Sequence, residues 1–233
     1  MTTTIDIKQA DGTGTFPGYL AEPAGKPRAA IVVIQEIFGV NAGMRRRCDM
    51  LAEAGYLAIA PDLFWRIAPG VELDPDIKPE MERAMELMGK FDLNQAVGDI
   101  QAAIDAVRTK LGAGGKVGAV GYCAGGRLAF RTAARTGVDA TVAYYGFGID
   151  QDLGEKGSIT KPLMLHFGED DQFIDAAARD KIHKDLDALP GVTIHEYQDV
   201  GHGFATEFGQ RRSGEAATLA DERTAKFFAQ NLG

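Results

Sequence analysis

Three side chains in this 233-residue chain have the types and placement for acyl-transfer chemistry: Cys123, Asp171 and His202. Cys123 lies in Gly121-Tyr122-Cys123-Ala124-Gly125-Gly126, between an apolar run at 116–120 and a stretch of helical spacing at 127–134. The pattern G-x-C-x-G is a nucleophile elbow with cysteine at its apex. Glycine stands two residues before and two after, where the tight turn leaves no room for a Cβ. The sulfur is expected at the start of the next helix, where free N–H groups and the helix dipole favour an anion. Taken alone, the cysteine could equally be a small buried apolar residue.

His202 is expected on a Gly-flanked loop, Gln198-Asp199-Val200-Gly201-His202-Gly203-Phe204, and Asp171 on Gly168-Glu169-Asp170-Asp171. Each loop follows an apolar run read as a strand, and functional residues of open α/β sheets gather at the carboxyl ends of strands. The order nucleophile, acid, histidine is the one this elbow serves. Cys123 would attack a carbonyl, His202 would carry the proton, and Asp171 would fix the tautomer and charge of the imidazole. Glu169 and Asp170 compete with Asp171 for the acid's role. His166 reads as a satisfied core group, His183 and His195 as surface groups, and Cys48 as a packing residue.

Positioning these loops requires a particular arrangement of elements. Residues 5–7 and 15–21 predict an antiparallel strand pair, with 10–14 as the turn between them. The continuous apolar, β-branched run at 29–34 reads as a strand covered on both faces and 56–60 as the next buried strand, with further strands at 116–121, 140–145, 162–167 and 192–197. Helical periodicity falls at 42–54, 80–90, 94–111, 175–189 and 214–231. Residues 62–80 are irregular but ordered, because Phe64 and Trp65 are costly to leave in water. Strands alternate with helices from Ala29 onward, which predicts a mostly parallel, doubly wound α/β sheet with helices on both faces. Neither linker nor repeat interrupts it, so residues 1–233 are expected to form a single domain.

Composition narrows the function classes. The formal net charge is −8, which disfavours nucleic acid as a partner. No apolar run approaches the ~18 residues of a spanning helix, and the N-terminus has no signal-like apolar core. Two cysteines outside any CxxC pair fit a reducing cytoplasm and no disulfide framework. The four histidines show no metal-ligand spacing. A monomer is expected.

The loop Gln35-Glu36-Ile37-Phe38-Gly39 follows the first buried parallel strand. It should supply one oxyanion-hole N–H from Ile37, the second coming from Ala124. Glu36 is unusual there, since a carboxylate beside a thiol disfavours the thiolate. It makes sense as a base that takes the thiol proton once substrate is bound; the alternative is a structural ion-pair partner. Together with Pro61-Asp62-Leu63-Phe64 and Gly201-His202-Gly203-Phe204, these motifs resemble the dienelactone hydrolase (carboxymethylenebutenolidase) family over nearly the full chain. The resemblance implies an α/β-hydrolase fold and a Cys123–His202–Asp171 triad, with Glu36 changing partner to activate the thiol. It also implies a thioester acyl-enzyme, hydrolysis of an enol-lactone or small ester, and no metal or organic cofactor.

One departure bears on substrate. The family's two carboxylate-binding arginines are replaced by Thr206 at one position and, near 81–85, by a segment in which only Arg83 is cationic. A guanidinium fork is not replaced by a hydroxyl, so a more neutral ester or lactone is expected. Phe38, Trp65, Tyr145, Phe173 and Phe204 are candidates to line an apolar acyl pocket, with core packing as their alternative. An acyltransferase or thioesterase using the same triad, and a non-catalytic small-ligand domain, are the competing readings.

Overall fold

The computed structural model describes residues 1–9, 12 and 14–233. Its scaffold is an eight-stranded sheet in the order β1-β2-β4-β3-β5-β6-β7-β8. β1 (Thr2–Lys8) and β2 (Thr15–Ala21) are the expected antiparallel pair, and β2 also runs antiparallel to β4 (Leu57–Pro61). β1 extends three residues further toward the N-terminus than its apolar residues indicated. Most of the turn expected at 10–14 lies outside the described residues. From β4 onward every pairing is parallel: β3 (Ala30–Ile34), β5 (Val117–Tyr122), β6 (Ala140–Tyr144), β7 (Leu163–Gly168) and β8 (Val192–Tyr197).

Burial explains why the central strands were readable. Every residue of β3, β4, β5, β6 and β7 is buried, as mostly apolar strands covered on both sides require; Thr141 and His166 are the buried polar members of β6 and β7. The edge strand β8 is only partly covered and mixes Thr193, His195 and Glu196 with Ile194.

Crossover direction assigns the helices to faces. α1 (Ala42–Glu53) joins β3 to β4 in one direction across the sheet, whereas α2 (Lys78–Lys90) and α3 (Leu93–Leu111) return from β4 to β5 in the other. α4 (Ala124–Arg135) and α5 (Ala176–Leu186) continue that second direction. Right-handed crossovers therefore place α1 opposite α3, α4 and α5. α6 (Gly214–Leu232) joins α1 through the ion pair of Arg47 Nη1 with Asp221 Oδ1 at 2.9 Å.

Helix starts follow local chemistry. The Asn41 side chain accepts from Gly43 and Met44 N–H, Asp92 from Asn94 and Gln95, and Asp175 from Ala178, each relieving N–H groups that no helical carbonyl can reach. Asp175 is thus a cap rather than a helical residue, and α5 stops three residues before the sequence pattern does. Two 3-10 turns, Ile149–Gln151 and Leu153–Ser158, occupy the β6–β7 connection. No described helix is long and apolar enough to cross a membrane.

Candidate active site

The elbow forms between β5 and α4. Cys123 stands at the N-terminal boundary of α4 with φ 57° and ψ −120°, a strained conformation for any residue with a Cβ. The turn persists because glycine lets backbones meet. A Cβ on Gly121 would lie 1.9 Å from Gly125 O, and one on Gly125 would lie 2.4 Å from Ile34 O. Cys123 is nearly buried, with its N–H donating to Tyr144 O at 3.1 Å. Among the described residues, neither the Ile37 nor the Ala124 N–H donates to a backbone carbonyl outside regular structure.

The acid and histidine loops are zipped together. Glu169 N–H donates to Tyr197 O at 2.9 Å and Asp170 N–H to Val200 O at 3.1 Å. Glu169 and Asp170 thereby face solvent while Asp171 turns inward. Asp171 Oδ2 lies 2.8 Å from His202 Nδ1, with both side chains excluded from water. Its Oδ1 accepts from Phe173 N–H at 2.8 Å, so both carboxylate oxygens are engaged.

His202 is charged more readily than an ordinary histidine. Burial pushes it down, but the Asp171 hydrogen bond and the neighbouring Cys123 sulfur outweigh this and raise it from 6.5 to about 10. Nε2 has no hydrogen-bond partner among the described residues. Tyr145 and Phe173 enclose the imidazole edge-to-face, with centroids at 5.1 and 4.9 Å.

Glu36 is buried beside this couple. Burial raises its pKa, opposed by Arg211, His202, Thr206 and Arg47. Thr206 Oγ1 lies 3.4 Å from Glu36 Oε2 and 3.0 Å from Phe208 O, one hydroxyl proton facing two acceptors. Glu36 Oε1, Tyr145 Oη and His202 Nε2 are buried without partners among the described residues. Orphaned buried polar atoms on these three residues are what a site awaiting a polar substrate would leave.

The remaining candidates divide. Phe38 and Phe204 are fully buried; Phe38 carries the Arg211 guanidinium 5.5 Å from its ring centre, and Phe204 packs on Tyr145 at 5.6 Å. Phe173 is 62% exposed although its ring meets His202. Trp65 is not brought to the triad: it stacks on Phe16 at 5.4 Å, donates Nε1–H to Asp99 Oδ2 at 3.0 Å and carries Arg66 over its ring. Nor is Arg83, which lies on the solvent face of α2 paired with Glu86 at 2.6 Å; α2 turns Ala84 and Leu87 inward instead. A cleft of about 430 Å³ between α1 and α6, lined by Arg47, Tyr122, Asp221 and Phe228 among others, shares no residue with the triad.

The other histidines and cysteine have separate explanations. His166 is fully buried and satisfied, Nδ1 by Tyr197 Oη at 2.8 Å and Nε2 by Thr224 Oγ1 at 3.1 Å. His195 stacks on it at 5.5 Å. His183 contacts Asp187 and Glu196. Cys48 is fully buried, and burial pushes its thiol far up. Sequence reasoning missed Arg47, which ties α1 to the histidine loop through Ala205 O and to Glu207 and Asp221. Its one signal was Arg45-Arg46-Arg47 on an amphipathic helix, where one member of three consecutive cations must face inward.

Known proteins resemble this chain in sequence and fold. Residues 16–232 match the dienelactone hydrolase family. The chain is 42% identical over 229 residues to the carboxymethylenebutenolidase of Pseudomonas putida, covering 98% of this chain and 97% of that one. It is 35% identical over 225 residues to carboxymethylenebutenolidase 1 of Cupriavidus pinatubonensis, covering 97% and 95%. A crystal structure from Klebsiella pneumoniae superposes with a TM-score of 0.83 at 26% identity, covering 99% of each chain. The fold is the α/β-hydrolase fold of that group. An elbow cysteine, a buried acid–histidine couple and a family match running from β2 to the end of α6 agree, and the chain belongs to the dienelactone hydrolase family.

Proposed function

We propose that residues 1–233 act as one catalytic domain, a cysteine hydrolase of small carboxylic esters and enol-lactones. The observation that carries this is the strained Cys123 beside an imidazole whose charged form Asp171 and Cys123 both favour. Cys123 Sγ attacks the acyl carbon, its proton passing to the buried bases. The oxyanion settles between the Ile37 and Ala124 N–H groups. Collapse breaks the C–O bond, His202 protonates the departing oxygen, and the acyl group stays on sulfur as a thioester. Water, deprotonated by His202, then releases the acid and restores the thiol. Burial biases Glu36 toward its neutral form, which lessens the repulsion a carboxylate would exert on a thiolate. Once ionised against a bound substrate, Glu36 would be a stronger base than an exposed glutamate. Phe38, Tyr145, Phe173 and Phe204 wall the acyl group. The two free cysteines suit a monomer in a reducing cytoplasm.

The test is hydrolysis of p-nitrophenyl acetate by the wild type and Cys123→Ala. Turnover is expected to vanish with the sulfur, and a wild type treated with hydroxylamine mid-reaction should yield the hydroxamate of a trapped thioester. Undiminished turnover in Cys123→Ala would end the proposal.

A further inference from the structure

Register puts Tyr145 beside the nucleophile. Ile34 of β3 pairs with Gly121 of β5, and Gly121 pairs with Ala143 of β6. Continued two residues, past the carboxyl ends of these strands, the same row reads Glu36, Cys123, Tyr145. Its last rungs are bonded: Cys123 N–H donates to Tyr144 O at 3.1 Å and Tyr145 N–H to His166 O at 2.7 Å. Cys123 and Tyr145 also share a strained backbone, with φ of 57° and 38°. Asp199 is the one other non-glycine residue with positive φ among the described residues, so the outliers concentrate at the nucleophile. Strain of this kind persists where the surroundings over-determine it, and it gathers at functional positions.

The Tyr145 ring is held, whereas its hydroxyl is not. His202, Phe204 and Tyr144 meet the ring edge-to-face at 5.1, 5.6 and 6.1 Å, and the residue is fully buried. Yet Tyr145 Oη has no hydrogen-bond partner among the described residues, and neither has Glu36 Oε1. Tyr144, the preceding residue, shows the contrast, since its hydroxyl meets Thr224 Oγ1 at 2.6 Å and Asp221 Oδ1 at 3.2 Å. Phenylalanine would pack equally well at 145 and leave no orphan. Burial, and after it the charge of Glu36, raises the Tyr145 hydroxyl well above its usual range, with Cys123 adding to the effect. The hydroxyl therefore stays protonated and serves as a donor rather than a base.

We propose that Tyr145 O–H is the hydrogen-bond donor to the Cys123 thiolate. The proposal rests on the hydrolase reading and adds a residue to it. When the thiol proton leaves for a buried base, the S–H bond breaks and its electron pair stays on sulfur. Tyr145 keeps its own proton and directs it at that sulfur. The wedged ring cannot follow, so the sulfur closes the gap by turning about χ1. In the resting thiol there is no anion to hold, and Oη is idle. Glu36 after β3, His202 on its loop, Tyr122 on β5 and Arg47 on α1 act on the same space, and all of them remain when the hydroxyl alone is removed.

The test is alkylation of Cys123 by iodoacetamide at about pH 7, where the thiolate is the reacting form. It needs no substrate: the S–C bond forms as the C–I bond breaks and iodide leaves. The rate is followed as the mass adduct on the Cys123 peptide in the wild type and Tyr145→Phe. A lost hydrogen bond to a charged group should cut the thiolate population by roughly 10–100-fold, and the greater nucleophilicity of what remains reduces the slowing to roughly 3–10-fold. The Tm of Tyr145→Phe should rise by roughly 2 °C or more, because a buried orphan has gone. Alkylation within about 1.5-fold of wild type, too small for a lost charge-assisted bond, overturns the proposal. So does a slowed reaction with a lowered Tm, because damage to the fold then explains the rate. If Tyr145→Phe alkylates like the wild type while Cys123→Ala abolishes ester hydrolysis, the donor has failed and the hydrolase reading stands. If Tyr145→Phe slows alkylation but the wild type hydrolyses no ester, the donor stands and the hydrolase reading has failed.

Discussion

Replacing Asp171 by Asn tests the acid–histidine couple without changing its shape. The wild-type carboxylate accepts from Phe173 N–H through Oδ1 and holds His202 Nδ1 through Oδ2. An Asn side chain has one acceptor and must choose. If its oxygen stays with Phe173, its NH2 faces Nδ1, which must then be the acceptor. The ring proton moves to Nε2, and His202 can no longer take a proton from the thiol side. If the amide flips, two N–H donors collide at Phe173 and a buried bond is lost, worth about 1–3 kcal/mol. The charge effect is larger. An imidazole raised from 6.5 to about 10 has its cation favoured by on the order of 5 kcal/mol relative to the unfolded chain, shared between Asp171 and Cys123. Losing the Asp171 share and the correct tautomer should lower kcat/KM on p-nitrophenyl acetate by roughly 10³–10⁴-fold. The same group sets a pH dependence of stability. A folded pKa above the unfolded one means that His202 stabilises fully below about pH 6.5, and the contribution is lost as pH rises through about 10. Denaturant melts of the wild type should weaken across that window, and those of Asp171→Asn should weaken less. Activity within tenfold of wild type, with an unshifted His202 titration by NMR, would refute the reasoning.

Two further changes probe the scaffold. Gly125→Ala forces a Cβ to within 2.4 Å of Ile34 O and 2.5 Å of Gln35 O. Both are backbone atoms that cannot swing aside, so a loss of at least about 3 kcal/mol in urea denaturation, or insoluble protein, is expected. A stability within about 1 kcal/mol of wild type would show that the elbow has more room than its contacts indicate. Arg47→Met removes the guanidinium held by Asp221, Glu207 and Ala205 O. Arg212 still reaches both acids, so the cost should sit at the lower end for a broken buried pair, about 3 kcal/mol. For a chain of this length that is a fall of roughly 6–12 °C in Tm by calorimetry.

What the sequence revealed depended on whether a residue's role was set by its neighbours along the chain. The elbow was legible because Gly121 and Gly125 are needed by a turn only five residues long, and β3 to β7 because burial on both faces imposes an unbroken apolar run. Strand order was not: nothing in the alternation of strands and helices says that β3 lies between β4 and β5. The 3-10 turns at 149–158 are too short to show a period. Among Glu169, Asp170 and Asp171 composition is silent, and the choice is made by the bond from Asp170 N–H to Val200 O, a partner thirty residues away. Trp65 and Arg83 had the right chemistry, but a helix face or loop tip has no direction until it packs, and Asp99 and Glu86 claimed them. Arg211 and Arg212 make the case most sharply. They are adjacent and chemically identical, yet Arg212 is spent on Asp221 and Glu207 while Arg211 lies against Gly203 with no ion pair among the described residues. The loop closure from Ser213 N–H to Phe204 O separates their fates.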